Sequence, residues 1–299
     1  MYGQDDKLVP DFSSAIDENR GIFYKLRKNG LKLQNQFQGN LRDLRQPTIN
    51  CFRMNNFLTF DVTIPVLNEE LTLERQVKIL HAFLKRHFPK ENQWRIVIAD
   101  NGSTDRTFEI AERLSKEILE IAVVKVPRKG VGLALKTSWG QSQADIVGYM
   151  DLDLATDLSH FLEAYDAIVN KAYDIVYATR LHPKSSVIGR TAKREIASRV
   201  FNMILKLYLG VHFSDGMCGF KFLKRSVYPN LYANGAQNDG WFFSTELLTV
   251  GEWLGLKIYE LPVQWTDDVS SSRVQIIPLA KRYLRDMKNL KAKKWKNEL

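Results

Sequence analysis

Asp151 and Asp153 are two carboxylates one residue apart, directly after the apolar run 146–150. At that spacing both side chains point to one face of an extended segment. Held close and partly out of water they repel, and each is costly to desolvate. A hard divalent cation, Mg2+ or Mn2+, relieves both costs, because it takes oxygen ligands and keeps bonds to substrate phosphates. The competing reading is a helix cap followed by a surface aspartate. Three other polar clusters precede this pair: Pro65-Val66-Leu67-Asn68-Glu69-Glu70, Asp100-Asn101-Gly102-Ser103-Thr104-Asp105 and Arg128-Lys129-Gly130-Val131-Gly132. Each alone has a structural use, Asn68 or Ser103 with Thr104 as helix caps, Gly130 and Gly132 as a tight turn. The glycine loop fits no dinucleotide fingerprint, since Leu135 stands where a third glycine belongs, and it lacks the Gly-Lys-Ser/Thr of a phosphate loop. What it offers an anion is Lys129 and backbone amides at a helix start. The five histidines do not cluster, which leaves a histidine metal site or a Ser-His-Asp triad without support.

The elements that must position these groups alternate. Strands are predicted over residues 58–64, 95–99, 121–126, 146–150 and 173–178, and helices over 70–86, 104–116, 131–143 and 158–171. Strands separated by helices of that length indicate a parallel, helix-covered α/β sheet. Ligands of such sheets bind beyond the carboxyl ends of the strands. The four polar clusters each follow one of the first four strands, so they are expected to converge on one edge.

Composition sets the frame. A chain of 299 residues with 44% apolar and 26% charged residues is an ordinary globular protein. No stretch approaches the roughly 18 apolar residues of a membrane-spanning helix. Residues 1–6 are neither basic nor apolar, so no secretory signal is expected. Cys51 and Cys218 stand singly, which suits a reducing compartment and excludes a cysteine-rich zinc site. Residues 281–296 carry eight basic residues against the single acid Asp286, out of a net charge of +9. A basic tail of this kind attracts nucleic acid or an anionic lipid surface, or it is simply a solvated helix end. Residues 1–56 are expected to form an extension of no assigned role, 57–275 the main domain and 276–299 a basic C-terminal helix.

From about Asp61 to Val274 the chain resembles glycosyltransferase family 2, most closely the polyprenyl- and dolichyl-phosphate sugar synthases of the glucose and mannose type. The four clusters above carry the resemblance. So do Ala178-Thr179-Arg180, the run from Lys193 to Ser198, Cys218-Gly219-Phe220-Lys221, Thr245-Glu246-Leu247-Leu248 and Ser271-Ser272-Arg273. The resemblance implies a GT-A fold, a nucleotide-sugar donor and inversion at the anomeric carbon. By position, Pro65, Asn68, Glu69 and Asp100 would hold the nucleoside, with Lys129 and Gly130 also on the donor side. Asp151 and Asp153 would hold metal and diphosphate, Arg273 would reach the diphosphate, and Arg180, Arg194 and Ser198 would hold the acceptor phosphate. Mannose-type members place a glutamine ligand where this chain has Ala155, and Asp157 stands near enough to substitute. The stretch Asp153-Leu154-Ala155-Thr156 is more like the glucose type, which favours UDP-glucose over GDP-mannose. The transmembrane helices of many relatives have no counterpart in this sequence.

A phosphate acceptor needs no general base, because its second pKa near 6 leaves it ionised at neutral pH. It needs cations to bind it, and arginine grips phosphate bidentately. Arg180 and Arg194 fit that role and Arg190 is left open. Behind Arg194, Ile196, Ala197, Val200, Phe201, Ile204, Leu205 and Tyr208 form a stripe flanked by Arg199 and Lys206. A basic amphipathic helix of this pattern lies in a membrane interface or packs on its own domain. Its place after Arg194 favours a peripheral position on the cytoplasmic face of a membrane. The rival enzyme reading is a soluble transferase acting on a glycan or small-molecule hydroxyl, with Asp239 or Glu246 as base. A nucleic-acid-binding protein explains none of the strand-end clusters and lacks an aromatic platform.

Overall fold

The computed structural model describes residues 57–90, 93–266 and 276–297. Residues 1–56 and the 271–273 motif with Arg273 therefore lie outside the described residues. The strands are β1 (Phe60–Val66), β2 (Trp94–Asp100), β3 (Ile121–Lys125), β4 (Ile146–Met150), β5 (Ile175–Thr179), β6 (Ser186–Ile188), β7 (Phe220–Lys224), β8 (Ile258–Pro262) and β9 (Gln264–Thr266). The helices are α1 (Leu73–His87), α2 (Thr107–Glu117), α3 (Val131–Gln141), α4 (His160–Val169), α5 (Ala192–Leu209), α6 (Tyr228–Ala233), α7 (Phe243–Trp253) and α8 (Ile276–Asn297). Each strand predicted in the first half is present, displaced by at most two residues. The helices α1, α2 and α4 start two or three residues later than their periodicity suggests, because the polar residues before them build loops.

Seven strands form one sheet in the order β3-β2-β1-β4-β7-β5-β8. All neighbours are parallel except β7, which runs antiparallel to both β4 and β5. The strands β1, β2 and β4 are buried almost throughout, as a helix-covered sheet requires. Pro65 falls where β4 has stopped pairing with β1, whose last pair is Thr63 with Tyr149, a place where a proline is tolerated. The helix α3 packs against β1, β2 and β3, and α4 against β5, β7 and β8. Its core includes Trp139 of α3, edge-on to Tyr228 with ring centroids 5.5 Å apart, a geometry that adds about 1 kcal/mol to simple burial.

Two features escape a reading by periodicity. One is the reversed strand β7. The other is a small parallel sheet of β6 and β9, in which Val187 is registered with Trp265. It is tied to the loop after β4 by a bridge from Thr156 to Trp265. The helix α5 has two apolar faces. Leu205 and Leu209 are buried in the core, and Phe201 stacks on Tyr283 of α8 at 5.2 Å. Ile196, Val200, Met203 and Leu207 instead face outward, 62%, 44%, 53% and 80% exposed. The predicted stripe thus divides, with Leu205 packing inward and Ile196 and Val200 remaining outside. Among the described residues no helix is long and apolar enough to cross a membrane.

Gly148 of β4 is registered with Phe222 of β7, and the Phe222 ring occupies the space a Cβ at 148 would need. Gly148→Ala is expected to cost about 1–3 kcal/mol in urea denaturation. Phe222→Leu in the same chain should recover part of that loss.

Candidate active site

The parallel strands β3, β2, β1 and β4 bring their following loops to one edge, as expected. The loop after β1 is locked to the loop after β2. Asn68 takes a left-handed backbone conformation, φ 55°, tolerated by asparagine. Its Oδ1 accepts from the Thr104 amide at 2.8 Å, and its own amide donates to Ser103 Oγ at 3.1 Å. Asn68 is therefore a clasp between two loops and caps no helix. Next to it the Glu69 amide donates to Thr107 Oγ1 and the Glu70 amide to Asp105 Oδ2. Asp100 is fully buried at the end of β2. Its Oδ1 accepts from the Ser103 amide at 3.3 Å, while Oδ2 has no hydrogen-bond partner. A buried acceptor left open beside a loop cluster is a place for a ligand donor group.

Three amides of the glycine loop already have protein partners, and the Gly130 amide is among them. Its N–H donates to Asn101 Oδ1 at 2.6 Å, and the amides of Gly132 and Leu133 donate to the carbonyls of Gly240 and Asp239. The loop before α7 lies so close that a Cβ at 130 would stand 2.5 Å from the Asp239 carbonyl oxygen. Both glycines thus serve close backbone approach. Lys129 remains exposed beside them. Asp239 forms ion pairs with Arg128 and, at 2.6 Å, with Lys136. Glu246 is buried and accepts the amides of Asn238 and Gln237 at 2.6 and 2.8 Å. The two carboxylates considered as bases thus have structural partners.

Asp151 follows β4 and meets the start of β7. Its amide donates to the Gly219 carbonyl at 3.0 Å, and a Cβ at 219 would fall inside the Asp151 carboxylate. Burial, followed by the charge of Asp153, pushes the Asp151 carboxyl up to about 7, against the opposing pull of Arg180 and Lys221. Asp153 is exposed, and its Oδ1 accepts from the Ala155 amide at 3.0 Å. Leu154 between them has φ 52°, a left-handed conformation that costs a leucine about 1 kcal/mol or more. Two crowded carboxylates, one of them disfavoured as an anion, are a donor set that fits a hard divalent cation. Asp157 is turned to the chain itself, its Oδ1 accepting from the amide and hydroxyl of Ser159 at 2.8 and 2.6 Å. Among the described residues no three acidic, histidine or cysteine side chains are grouped to hold a metal, so Asp157 does not complete a three-residue set with Asp151 and Asp153.

Beneath this pair lies Lys221, fully buried and registered with Tyr149 on β4 and Tyr177 on β5. Its Nζ donates to the carbonyls of Cys218 and Gly216 at 2.6 and 3.3 Å and to Ser244 Oγ at 2.7 Å. Three donors thus meet three acceptors. Burial pushes the ammonium down to about 8. In the sequence Lys221 stands out only as the last residue of the 218–221 motif.

Arg180 follows β5 and is held bidentately by the buried Asp215, Nε to Oδ2 at 2.8 Å and Nη2 to Oδ1 at 3.0 Å. Its charge acts on Asp151, so carboxylate pair and arginine share one site. Arg190, left open by sequence, belongs here too. It donates to Ser198 Oγ and to the Arg194 carbonyl and pairs with Glu195 at 3.4 Å. Ser198 is thus bound to Arg190 on α5, and Arg194 lies half-buried on the first turn of that helix. The guanidiniums of Arg180 and Arg190 stand 5.3 and 5.9 Å from the Trp265 ring. Asp215 and Trp265 were missed by sequence. Asp215 is an acid in an unremarkable loop 35 residues after its partner, while Trp265 lies in the three-residue strand β9, too short to give a periodic signal.

The family model "Glycosyl transferase family 2" matches residues 61–231. The glycosyltransferase AglD of Haloferax volcanii is 32% identical over 68% of this chain, and this chain spans about a third (32%) of that relative. A dolichyl-phosphate beta-glucosyltransferase of Trichomonas vaginalis is 28% identical over 74% of this chain and 69% of its own length. One from Saccharomyces cerevisiae is 23% identical over 77% and 73%. Among solved structures, the glucosyl-3-phosphoglycerate synthase of Mycobacterium tuberculosis in complex with Mn2+, UDP-glucose and phosphoglyceric acid superposes with a TM-score of 0.56. It is 21% identical over 78% of this chain and 79% of its own. This likeness shows the GT-A fold.

Breaking the buried Arg180–Asp215 pair is the sharpest test of the site's construction. Burial works to raise the Asp215 carboxyl, but the charge and hydrogen bonds of Arg180 outweigh it and hold it at about 2, below its ordinary 3.8. The pair's stabilisation is therefore full above pH 3.8 and is lost as the pH falls towards 2. Asp215→Asn is expected to cost about 3 kcal/mol at neutral pH. Acid titrations of stability should show the variant's curve flatter than the wild type's in that window.

Proposed function

Since the chain belongs to glycosyl transferase family 2, we propose that it moves glucose, with inversion, from UDP-glucose to the phosphate of a polyprenyl or dolichyl phosphate at a membrane surface. The observation that carries this reading is the pairing of a carboxylate site with a buried arginine site, Asp151 and Asp153 on one side, Arg180 and Arg190 on the other. Relatives named dolichyl-phosphate beta-glucosyltransferase support the same acceptor and sugar.

In this reading a phosphate oxygen of the acceptor attacks the anomeric carbon. The bond from that carbon to the β-phosphate oxygen breaks, and its electron pair leaves on the nucleoside diphosphate. Asp151 and Asp153 would hold Mg2+ or Mn2+, which when bound neutralises the growing charge of that leaving group. Asp100 offers its open Oδ2 to a donor N–H or O–H of the nucleoside, and Lys129 is exposed beside the same edge. Arg180 is pre-oriented by Asp215, leaving Nη1 to face the acceptor. No proton need be removed from a phosphate dianion. That agrees with Asp239 and Glu246 being taken up by structural partners, and it disfavours a hydroxyl acceptor. Arg194 joins the acceptor side from the first turn of α5, and Arg273 is assigned to the donor diphosphate. Residues 1–56 are given no role, and the helix Ile276–Asn297 serves as the basic element.

The outward stripe of α5 supports attachment to the cytoplasmic face of a membrane. Ile196, Val200, Met203 and Leu207 recur at helical spacing on one exposed face, with Lys193, Arg199 and Lys206 on the same helix. Such a helix enters the headgroup boundary while its basic residues meet anionic lipid.

A panel of nucleotide sugars with Mn2+ and polyprenyl phosphate should give turnover with UDP-glucose, and Asp153→Asn should lose at least about 100-fold of it with an unchanged melting temperature. Arg194→Ala should raise KM for the lipid phosphate about tenfold with little change for the donor. Turnover with lipid-free hydroxyl acceptors at equal rates would remove the acceptor assignment. Sedimentation with vesicles containing anionic lipid should pellet the protein, and the double variant Met203→Asp, Leu207→Asp should stay in the supernatant.

A further inference from the structure

Trp265 is the aromatic residue at which the two halves of the site meet. It sits in β9, registered with Val187 of β6, whose end leads through Gly189 into Arg190. On its other side it bridges to Thr156, and the Thr266 amide donates to the Ala155 carbonyl at 2.9 Å. The Asp157 amide donates to the Gln264 carbonyl at 3.1 Å. The strand β9 is therefore fastened to the loop that follows Asp151 and Asp153 and to the strand that delivers Arg190. Over the half-buried Trp265 ring stand two guanidiniums, Arg180 at 5.3 Å and Arg190 at 5.9 Å. Asp215 and Glu195 balance their charges from behind, and the electron-rich indole face gives both guanidiniums a common support.

We propose that Trp265 is a positioning residue for the acceptor phosphate. Its indole holds Arg180 and Arg190 as one clamp, and β9 sets that clamp's distance from the carboxylate pair. Arg190 thereby becomes a phosphate-binding residue alongside Arg180. The proposal rests on the lipid-phosphate reading above. Because Trp265 acts through the arginines, it governs affinity for the acceptor and leaves affinity for the donor alone.

The test uses the full chain with UDP-glucose, Mn2+ and a short-chain polyprenyl phosphate, and compares Trp265→Leu, Trp265→Phe and Arg190→Lys with wild type. Steady-state KM values are read for both substrates, and binding of the lipid phosphate is read by calorimetry. Trp265→Leu is expected to weaken lipid-phosphate binding and raise its KM about tenfold, with the KM for UDP-glucose within about twofold. Trp265→Phe should restore most of the affinity, since a ring face is regained. Arg190→Lys, which keeps the charge and loses the planar guanidinium, should reproduce the acceptor-selective loss. Equal acceptor affinity in Trp265→Leu and wild type overturns the proposal. So does a loss shared equally by donor and acceptor that Trp265→Phe does not relieve. If Trp265→Leu does not fold, Trp265→Phe and Arg190→Lys decide the matter by the same comparison. Wild-type protein that binds no lipid phosphate, yet glucosylates a hydroxyl acceptor, defeats the functional reading itself and this clamp with it.

Discussion

One backbone hydrogen bond sets the geometry of the site, from the Asp151 amide to the Gly219 carbonyl. It prolongs the β4–β7 ladder one residue beyond the pair Met150–Phe220 and so lays the Asp151 carboxylate against a residue without a side chain. Because β7 is reversed, its beginning, and not its end, reaches the edge where β1 to β4 terminate. The turn that precedes it, 215–219, then supplies three things at once. Asp215 orients Arg180, Gly219 leaves room for Asp151, and the carbonyls of Gly216 and Cys218 receive Lys221.

Electrostatics follow from that turn. A buried ammonium and a buried ion pair lie under a pair of crowded carboxylates, so charges of both signs are held at short range in a poorly solvated place. The positive groups lower the cost of keeping Asp151 ionised, and the negative ones lower the cost of burying Arg180. Removing one member of the buried Arg180–Asp215 pair leaves an uncompensated charge, so substitutions there disturb stability and turnover together, whereas Asp153 is exposed and its loss is felt in turnover.

The first half of the fold was legible because its strands and helices have clean periods and each strand ends in polar residues. The carboxylate pair could be found by type and spacing and Arg180 by the family resemblance, whereas Asn68 read as a helix cap and its clasp shows only in the folded chain. Lys221 was not found, because a lysine in a five-residue strand reads as an exposed position until its two neighbours are known. Asp215 and Trp265 act only through contacts between segments distant in sequence, and a single chain of letters carries no sign of those contacts. The glycine loop misled for a related reason. Its amides suit an anion in isolation, but that of Gly130 goes to Asn101, and those of Gly132 and Leu133 go to a loop more than 100 residues later. On α5 the pattern held two answers, because an inner and an outer apolar face both exist on one helix.

The strand β7 also bears on how the chain reaches this state. It is hydrogen-bonded on both sides, to β4 and to β5, which are synthesised well before it. The sheet therefore stays split between β4 and β5 until a late segment closes the gap, a pairing of high sequence separation and correspondingly slow formation. Until that closure Asp151 has no Gly219 beside it and Arg180 has no Asp215. A chain caught short of completion holds the strands that carry its donor loops, yet lacks the turn that makes them a working centre. Chemical competence thus requires that β7 be in place between β4 and β5.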